Sequence, residues 1–356
     1  MDLDTAFAAT KFLIRNAELT GDTPQINFFG GEPLLMWDEI IEPLVLWIRG
    51  IYAKPFLLSI TTNGTLLTKE RIEFLKQYRV SILFSIDGRE ETQNYNRPTH
   101  DGGESFELLR DKIPMIAEAF PNATFRMTTI PETCHNVFDN IMFAKDSGFY
   151  DFFVIPNVFE EWDEDKKEIL RQEMRKYSEY YIDCYRNGTH PINFSAYDTA
   201  FRDIKLINNA ILNDEFRTLN HCHACGKCGL GASHYASIHP NGDVYGCQEM
   251  TSNSNATNIF HIGNVFTGMK DHKRKALMDL YDGEILKGDD CDECPYNRIC
   301  NGGCVANNYL INGSLTHVPA TYCWWMRLLL AETTYVMQTL GNEENESFKE
   351  KWSKTV

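Results

Sequence analysis

Nine of the eleven cysteines in this 356-residue chain fall between Cys222 and Cys323, and that crowding limits what its C-terminal third can fold around. Only Cys134 and Cys184 lie outside the segment. A secreted disulfide scaffold is short and cysteine-rich throughout. This chain is long, and it opens on MDLDTAFAATKFLIRN, with two early Asp and no basic region before an apolar block. That is no secretory signal. The cysteines therefore read as an intracellular metal module, and the expected location is the cytoplasm.

The cysteines form two groups. Cys222, Cys225, Cys228 and Cys247 make the first, with Gly242-Asp243-Val244-Tyr245-Gly246 leading into Cys247 as a turn and short strand. Cys291, Cys294, Cys300 and Cys304 make the second, with Cys323 after a gap. Cys291-x-x-Cys294 brings two thiolates to one metal centre through a tight turn. Zinc and iron–sulfur clusters both take such ligands. Zinc ribbons show two close Cys-x-x-Cys pairs. The second group instead runs with gaps of two, five and three residues and then a distant cysteine. The spacing favours two iron–sulfur clusters, with structural zinc as the alternative. Residues 222–323 are Gly-rich with little periodicity, so they are expected to lack an ordinary core and to fold around metal.

Residues 1–160 alternate between helical and strand patterns. Leu3, Ala6, Phe7, Thr10, Leu13 and Ile14 keep helical spacing. Strands are expected at 26–29, 56–62, 80–86, 123–130 and 151–157. Helices are expected near 37–50, 68–77, 104–119 and 136–147. Continuous apolar strands separated by helices imply a parallel sheet covered by helices, either doubly wound or a barrel. Chemistry then gathers at the C-terminal strand ends. The turns Gly30-Gly31-Glu32-Pro33, Thr62-Asn63-Gly64 and Ser85-Ile86-Asp87-Gly88 all lie there. The opening helix has no strand before it. Residues 161–220 read as a mostly helical bridge, 221–325 as the cysteine domain, and 326–356 as a C-terminal helix with a polar, frayed tail.

Composition narrows the partners. Fifty acidic residues against 34 basic ones leave a net charge of −16, which argues against nucleic acid. No run approaches the length of a membrane helix. His221, His223, His234, His239 and His261 accompany the cysteines but read as structural or solvated. Trp324 and Trp325 read as packing around the clusters.

With those residues in view the chain resembles a radical SAM enzyme with a C-terminal SPASM domain. Cys228, Gly242 with Cys247, Cys291, Cys294, Cys300, Cys304 and Cys323 meet the SPASM pattern of Cys, Gly-x4-Cys, Cys-x2-Cys-x5-Cys-x3-Cys and a final Cys. The resemblance implies two auxiliary [4Fe-4S] clusters. One would be held by Cys222, Cys228, Cys247 and Cys304, the other by Cys291, Cys294, Cys300 and Cys323. Cys225 is spare or replaces Cys222. The implied fold is α/β, a partial (β/α)6 barrel lacking its first strand, then the bridge and the small SPASM domain.

Gly30-Gly31-Glu32-Pro33 is similar to the family's GGEP motif, whose turn and Glu hold the amino group of S-adenosylmethionine (SAM). Physically, glycine permits close backbone approach and a carboxylate pairs with an ammonium. Ser85 and Asp87 resemble positions near the SAM carboxylate and ribose. Asn63, Arg126 and Val158 lie near strand ends and are further pocket candidates, although Ser, Asp and Asn also favour turns and caps.

One element of the family is missing. The Cys-x3-Cys-x2-Cys loop that holds the SAM-cleaving cluster is absent from this sequence. The expectation is an N-terminal truncation, with a naturally cluster-less homologue as the rival. SAM and a third [4Fe-4S] cluster are then expected only in a full-length protein, and this chain alone is expected to lack radical chemistry. The resemblance implies a peptide or protein substrate and a reducing electron donor such as a flavodoxin or ferredoxin, with no nucleic acid and no membrane. Peptide maturation leads. Sulfatase maturation to formylglycine competes, but that branch tends to place an Asp directly after the Gly-x4-Cys cysteine. Here Gln248 stands there, followed by Glu249, and an amide cannot take a proton as a carboxylate does. A non-enzymatic electron-transfer or peptide-binding protein is the remaining alternative.

Overall fold

The computed structural model describes residues 1–212, 235–251, 260–281, 291, 293–294 and 302–354. The chain divides into two compact units. One contains residues 1–28, 33–58 and 218–323, the other residues 29–32, 59–217 and 324–356.

The main sheet has six strands in sequence order: β1 (Gln25–Phe28), β2 (Leu57–Thr62), β3 (Val80–Ser85), β4 (Thr124–Thr129), β5 (Asp151–Pro156) and β6 (Asn193–Phe194). From β3 to β6 the pairing is parallel, with Ser85 opposite Arg126, Thr124 opposite Asp151 and Phe152 opposite Phe194. Five of these strands are the ones the sequence pattern called for. The α/β expectation is borne out.

The strands are not continuous apolar runs. β4 and β5 alternate strictly between buried and half-buried residues. Phe84, Phe125, Phe152 and Phe194 point to the fully buried side. There Phe152 stacks on Phe194 at 4.8 Å and meets Tyr177 edge-on. The alternate positions Ser59, Thr61, Leu83, Arg126, Thr128, Phe153 and Ile155 are half-buried. A parallel sheet covered on both faces would bury both sets. This one buries a single face and leaves the other lined with hydroxyls and a guanidinium.

Eight helices belong to this region: α1 (Leu3–Thr20), α2 (Glu42–Ile51), α3 (Lys69–Gln77), α4 (Glu90–Asn96), α5 (Lys112–Ala119), α6 (Val137–Asp146), α7 (Glu164–Arg186) and α8 (Ser195–Leu212). Their starts follow local chemistry. Asp2, Thr68 and Asp163 are N-caps whose side chains accept the first free backbone N–H groups of α1, α3 and α7. The single helix expected over 104–119 is instead a 3-10 turn at Phe106–Leu108 followed by α5. Pro114 explains the break, because its ring would clash with the Arg110 carbonyl in a continuous helix. In the first turn of α5 it is tolerated.

The cysteine-bearing unit also departs from expectation. A four-stranded antiparallel sheet runs in the order β10 (Gly268–Met269), β9 (His261–Asn264), β8 (Asp243–Tyr245), β7 (Ser237–Ile238). Helices α9 (Asp271–Tyr281) and α10 (Val305–Asn312) follow. Val244, Tyr245, Cys247, Met250, Phe260, Ile262, Val305 and Ala306 form one buried apolar cluster. This segment has a small core of its own, gathered from single residues too scattered to show a period.

After α11 (Ala320–Asn342), the expected frayed tail is a helix, α12 (Glu346–Lys354). Phe348 anchors it edge-on against Tyr185 and Phe201 at 5.4 and 5.7 Å.

Candidate cofactor-binding site

Glu32 is fixed on both oxygens. Thr62 Oγ1 donates to Oε1 and the Asn63 backbone N–H donates to Oε2, each at 2.8 Å. The Gly64 N–H in turn donates to Thr62 Oγ1 at 3.0 Å, and Asn63 Oδ1 accepts from the N–H and hydroxyl of Thr65. These bonds close the Thr62-Asn63-Gly64 turn around the carboxylate. Gly64 has φ +76°, and a Cβ there would lie 2.5 Å from the Phe84 ring, so only glycine fits. Gly30 and Gly31 differ. They are exposed, and a Cβ on either would meet nothing within 4 Å. The backbone beside Glu32 therefore faces open space. Pro33 starts a 3-10 turn at Pro33–Met36, a place that suits its fixed φ.

Asp87 is buried, and its own protein partners hold its carboxylate. Oδ1 accepts the Thr128 N–H at 2.8 Å. Arg97 Nε lies 2.9 Å from Oδ2 as a charge contact without hydrogen-bond alignment. The Asp87 N–H donates to Gln93 Oε1. Asp87 thus ties the end of β3 to β4 and α4. Ser85 pairs in register with Arg126. Arg126 is half-buried on the hydroxyl-lined sheet face, with Nη1 3.4 Å from Thr128 Oγ1. Val158 is buried just past β5.

The structure therefore joins Glu32 to Asn63 and sets Ser85 beside Arg126. Thr62, Thr128 and Arg97 are partners that sequence reasoning missed. Thr62 carried a signal, since it begins the polar run that ends β2. Beneath Asp87 lies a cavity of about 10 Å³ lined by Asn96, Met127, Thr129, Asn140 and neighbours. Thr129 Oγ1 is buried there without a hydrogen-bond partner.

Among the expected cluster ligands, Cys222, Cys228 and Cys300, like Cys225, lie outside the described residues. Among the described residues, no three His, Cys, Asp or Glu side chains gather closely enough to hold a metal ion. The remaining cysteines still fit thiolate ligation. Cys247 caps the 3-10 turn Gln248–Met250, and Cys304 caps α10. These two elements pack together, and both cysteines belong to the same apolar cluster. The Cys304 side chain makes no capping hydrogen bond, and burial pushes its thiol up. Cys294 N–H donates to the Cys291 carbonyl at 3.1 Å, closing the tight turn expected of Cys291-x-x-Cys294.

Other polar groups near these cysteines have structural partners. His261 Nε2 lies 3.1 Å from Asp243 Oδ1, and its Nδ1 lies 3.2 Å from Lys270 Nζ. His239 Nδ1 lies 3.2 Å from Asn241 Oδ1. His221, His223 and His234 are outside the described residues. Gln248 accepts the Tyr235 hydroxyl, and Glu249 is exposed. Trp324 stacks on Trp162 at 6.1 Å, and Trp325 is buried. Cys134 is a core residue. Its thiol donates to the Pro131 carbonyl at 3.2 Å, and burial pushes it up to about 11.

Comparison with known proteins agrees with this geometry. Residues 11–144 match the radical SAM superfamily. The radical SAM cyclopropyl synthase TigE of Paramaledivibacter caminithermalis is 23% identical over 315 residues, covering 86% of this chain and 59% of that protein. The chain thus spans less than two thirds of that relative's length. The cysteine-type anaerobic sulfatase-maturating enzyme of Clostridium perfringens is 23% identical over 296 residues, 78% of this chain and 72% of that one. The solved structure of anSMEcpe with bound AdoMet aligns with a TM-score of 0.68 at 18% identity, over 90% of this chain and 82% of that one. Its complex with AdoMet and the Cp18Cys peptide gives 0.64 at 18% identity, over 89% and 86%. At such identities the structural likeness establishes the fold. Among the described residues, no helix is long and apolar enough to cross a membrane.

Proposed function

We propose, for a chain that carries a radical SAM superfamily domain over residues 11–144, a role in modifying side chains of a ribosomally made peptide or protein. The observation that carries this is the Glu32 carboxylate, held by Thr62 and Asn63 beside the open backbone of Gly30 and Gly31. A carboxylate fixed in place on both oxygens presents its negative charge in one direction, and an ammonium is its natural partner. Glu32 would take the amino group of SAM there, with no reorganisation needed on binding.

When bound with its cluster, SAM supplies hydrogen-atom abstraction. No Cys-x3-Cys-x2-Cys run lies within these 356 residues, so that chemistry needs a cluster they do not ligate. The residues present bind and orient. Buried Ser85 and half-buried Arg126 lie opposite each other across β3 and β4, and a hydroxyl beside a guanidinium is a pairing suited to a carboxylate. Asp87 acts on the pocket by holding β3, β4 and α4 together. Asn63 contributes through its backbone and its turn, and Val158 as an apolar wall. Pro33 fixes the exit of the Glu32 turn.

In this reading residues 1–160 form the partial barrel and 161–220 the bridge. Residues 221–325 form the SPASM domain, followed by the C-terminal helices. Cys222, Cys228, Cys247 and Cys304 would hold one auxiliary [4Fe-4S] cluster, and Cys291, Cys294, Cys300 and Cys323 the other. A flavodoxin- or ferredoxin-like protein in the cytoplasm would deliver electrons. A peptide partner is supported by anSMEcpe, solved with AdoMet and the Cp18Cys peptide.

Formylglycine formation in a sulfatase is the second reading, supported by the similarity to the Clostridium perfringens enzyme. Gln248 weighs against it. Its carboxamide cannot accept a proton, and its oxygen already accepts the Tyr235 hydroxyl.

The test is SAM binding by anaerobic calorimetry, comparing the protein with its Glu32→Ala variant. Loss of a charge-assisted bond predicts an affinity lower by about 10- to 100-fold. Equal affinity refutes the role of Glu32. Metal analysis after anaerobic reconstitution tests the clusters. About eight irons per chain support two clusters, whereas about two zincs without iron refute them.

A further inference from the structure

The cavity beside Asp87 is small, about 10 Å³, close to the ~10–15 Å³ that one water molecule needs. Size alone does not decide whether such a space is wet. An apolar cavity stays dry, whereas one with two to four hydrogen-bonding partners on its walls holds water. Met127, Val137 and Val154 make part of the lining apolar. Three threonines make the rest of it polar.

Thr129 ends β4, is buried, and has a hydroxyl without a hydrogen-bond partner. A buried hydroxyl in that state bears the whole cost of losing its hydration. Thr92 is buried on α4. Its hydroxyl oxygen accepts from Asn140 Nδ2 at 3.1 Å and from Asn136 Nδ2 at 3.4 Å. Both lone pairs are thereby engaged, and the hydroxyl proton is left to find an acceptor. Thr133 is buried just before the 3-10 turn Cys134–Asn136. Its hydroxyl donates to Asn96 Oδ1 at 2.9 Å, so its own lone pairs remain to accept. All three residues line the one cavity. Thr92 has a proton to give, Thr133 has lone pairs to offer, and Thr129 has both.

We propose that this cavity is a binding site for one water molecule, held by the hydroxyls of Thr92, Thr129 and Thr133. The water accepts the Thr92 proton, donates to Thr133 and bonds Thr129 as its third partner. Three partners are typical of a buried water. The water ties α4 and the turn before α6 to the end of β4. Asp87 forms part of the same wall, so its surroundings are fixed from within as well as by Thr128 and Arg97. The site depends neither on SAM nor on a metal.

Two substitutions in the full chain test it. Thr129→Val nearly keeps the outline of the side chain and removes its hydroxyl. In a dry cavity this deletes an unpartnered buried hydroxyl, and stability stays level or rises. In a cavity that holds water it strands one of the water's bonds, and the folding equilibrium constant is expected to fall about 3- to 10-fold. Urea unfolding reads the sign, and a stability equal to or above wild type overturns the proposal. Thr129→Ile extends an ethyl group along the direction of the hydroxyl and takes the water's place. Oxygen-17 relaxation dispersion counts long-lived internal waters, and Thr129→Ile is expected to hold one fewer than wild type. An unchanged count overturns the proposal whatever the stability. Should neither variant fold, Val137→Ile, which adds a methylene to another wall of the cavity, is read for the same loss of one water, and an unchanged count there overturns it equally.

Discussion

Glu32 Oε2 accepts the backbone N–H of Asn63 at 2.8 Å, so a carboxylate at one strand end is locked to an amide thirty-one residues away. Thr62 completes the lock and also accepts the Gly64 N–H. Thr62→Val keeps the shape and removes both bonds. SAM affinity is expected to fall about 5- to 20-fold, with stability lower by about 1–2 kcal/mol. Calorimetry and urea unfolding on the same preparation measure both. Unchanged SAM affinity would show that Glu32 needs no such support.

Gly64→Ala places a methyl group against the Phe84 ring at a backbone angle that L-residues avoid. Strain and overpacking together are expected to cost about 2–4 kcal/mol. The urea midpoint should drop with little change in slope. A wild-type midpoint would mean that the ring yields freely.

Glu332 on α11 is almost wholly buried, and Arg175 on α7 grips it with two bonds of 2.8 and 2.9 Å. Ser178 donates a third at 2.8 Å. Arg175→Met leaves a buried carboxylate with one neutral donor. Because Arg175 is itself partly exposed, the expected loss is about 2–3 kcal/mol, below the range for a fully buried pair. Arg175→Met with Glu332→Leu should recover most of it. A double variant no better than the single one would argue against pairing as the cause.

Hydrogen bonds from Asn264 and Asn241, together with His261, hold the Asp243 carboxyl below its ordinary value of 3.8. A carboxylate with a depressed folded-state value adds stability above its unfolded value. That stability is lost as pH falls through the folded one. The effect should be complete at pH 5 and fade below about pH 4. Thermal midpoints taken from pH 6 to pH 3 should therefore fall more steeply for the wild type than for Asp243→Asn. Parallel curves would assign the acid sensitivity to other carboxylates.

The strands and the Glu32 turn were legible because their signals are local. Periodicity places Phe125 and Phe152, and glycines bracket the turn. Contacts made at long range were not legible. Nothing near Glu32 in sequence announces Thr62, and nothing near Arg175 announces Glu332. α4 escaped notice because its buried residues, Thr92 and Gln93, are polar, so no apolar stripe marks it. β6 is two residues long and sits between helices. α12 reads as a charged tail, since its place depends on one ring, Phe348. The single-faced sheet was hidden because the half-buried positions include Leu83, Phe153 and Ile155, which look like core in a list of residues.

The helices at the C-terminus bear on the order in which the protein can be made. Arg175 meets Glu332, Arg186 meets Glu343, and Tyr181 receives Lys351, each pairing residues more than 150 positions apart. At the usual pace of translation, the ribosome needs roughly 8–30 s to span such a gap. Throughout that interval Arg175, Tyr181 and Arg186 on α7 lack these C-terminal partners. The unit that contains α7 can therefore close only after α11 and α12 have left the exit tunnel.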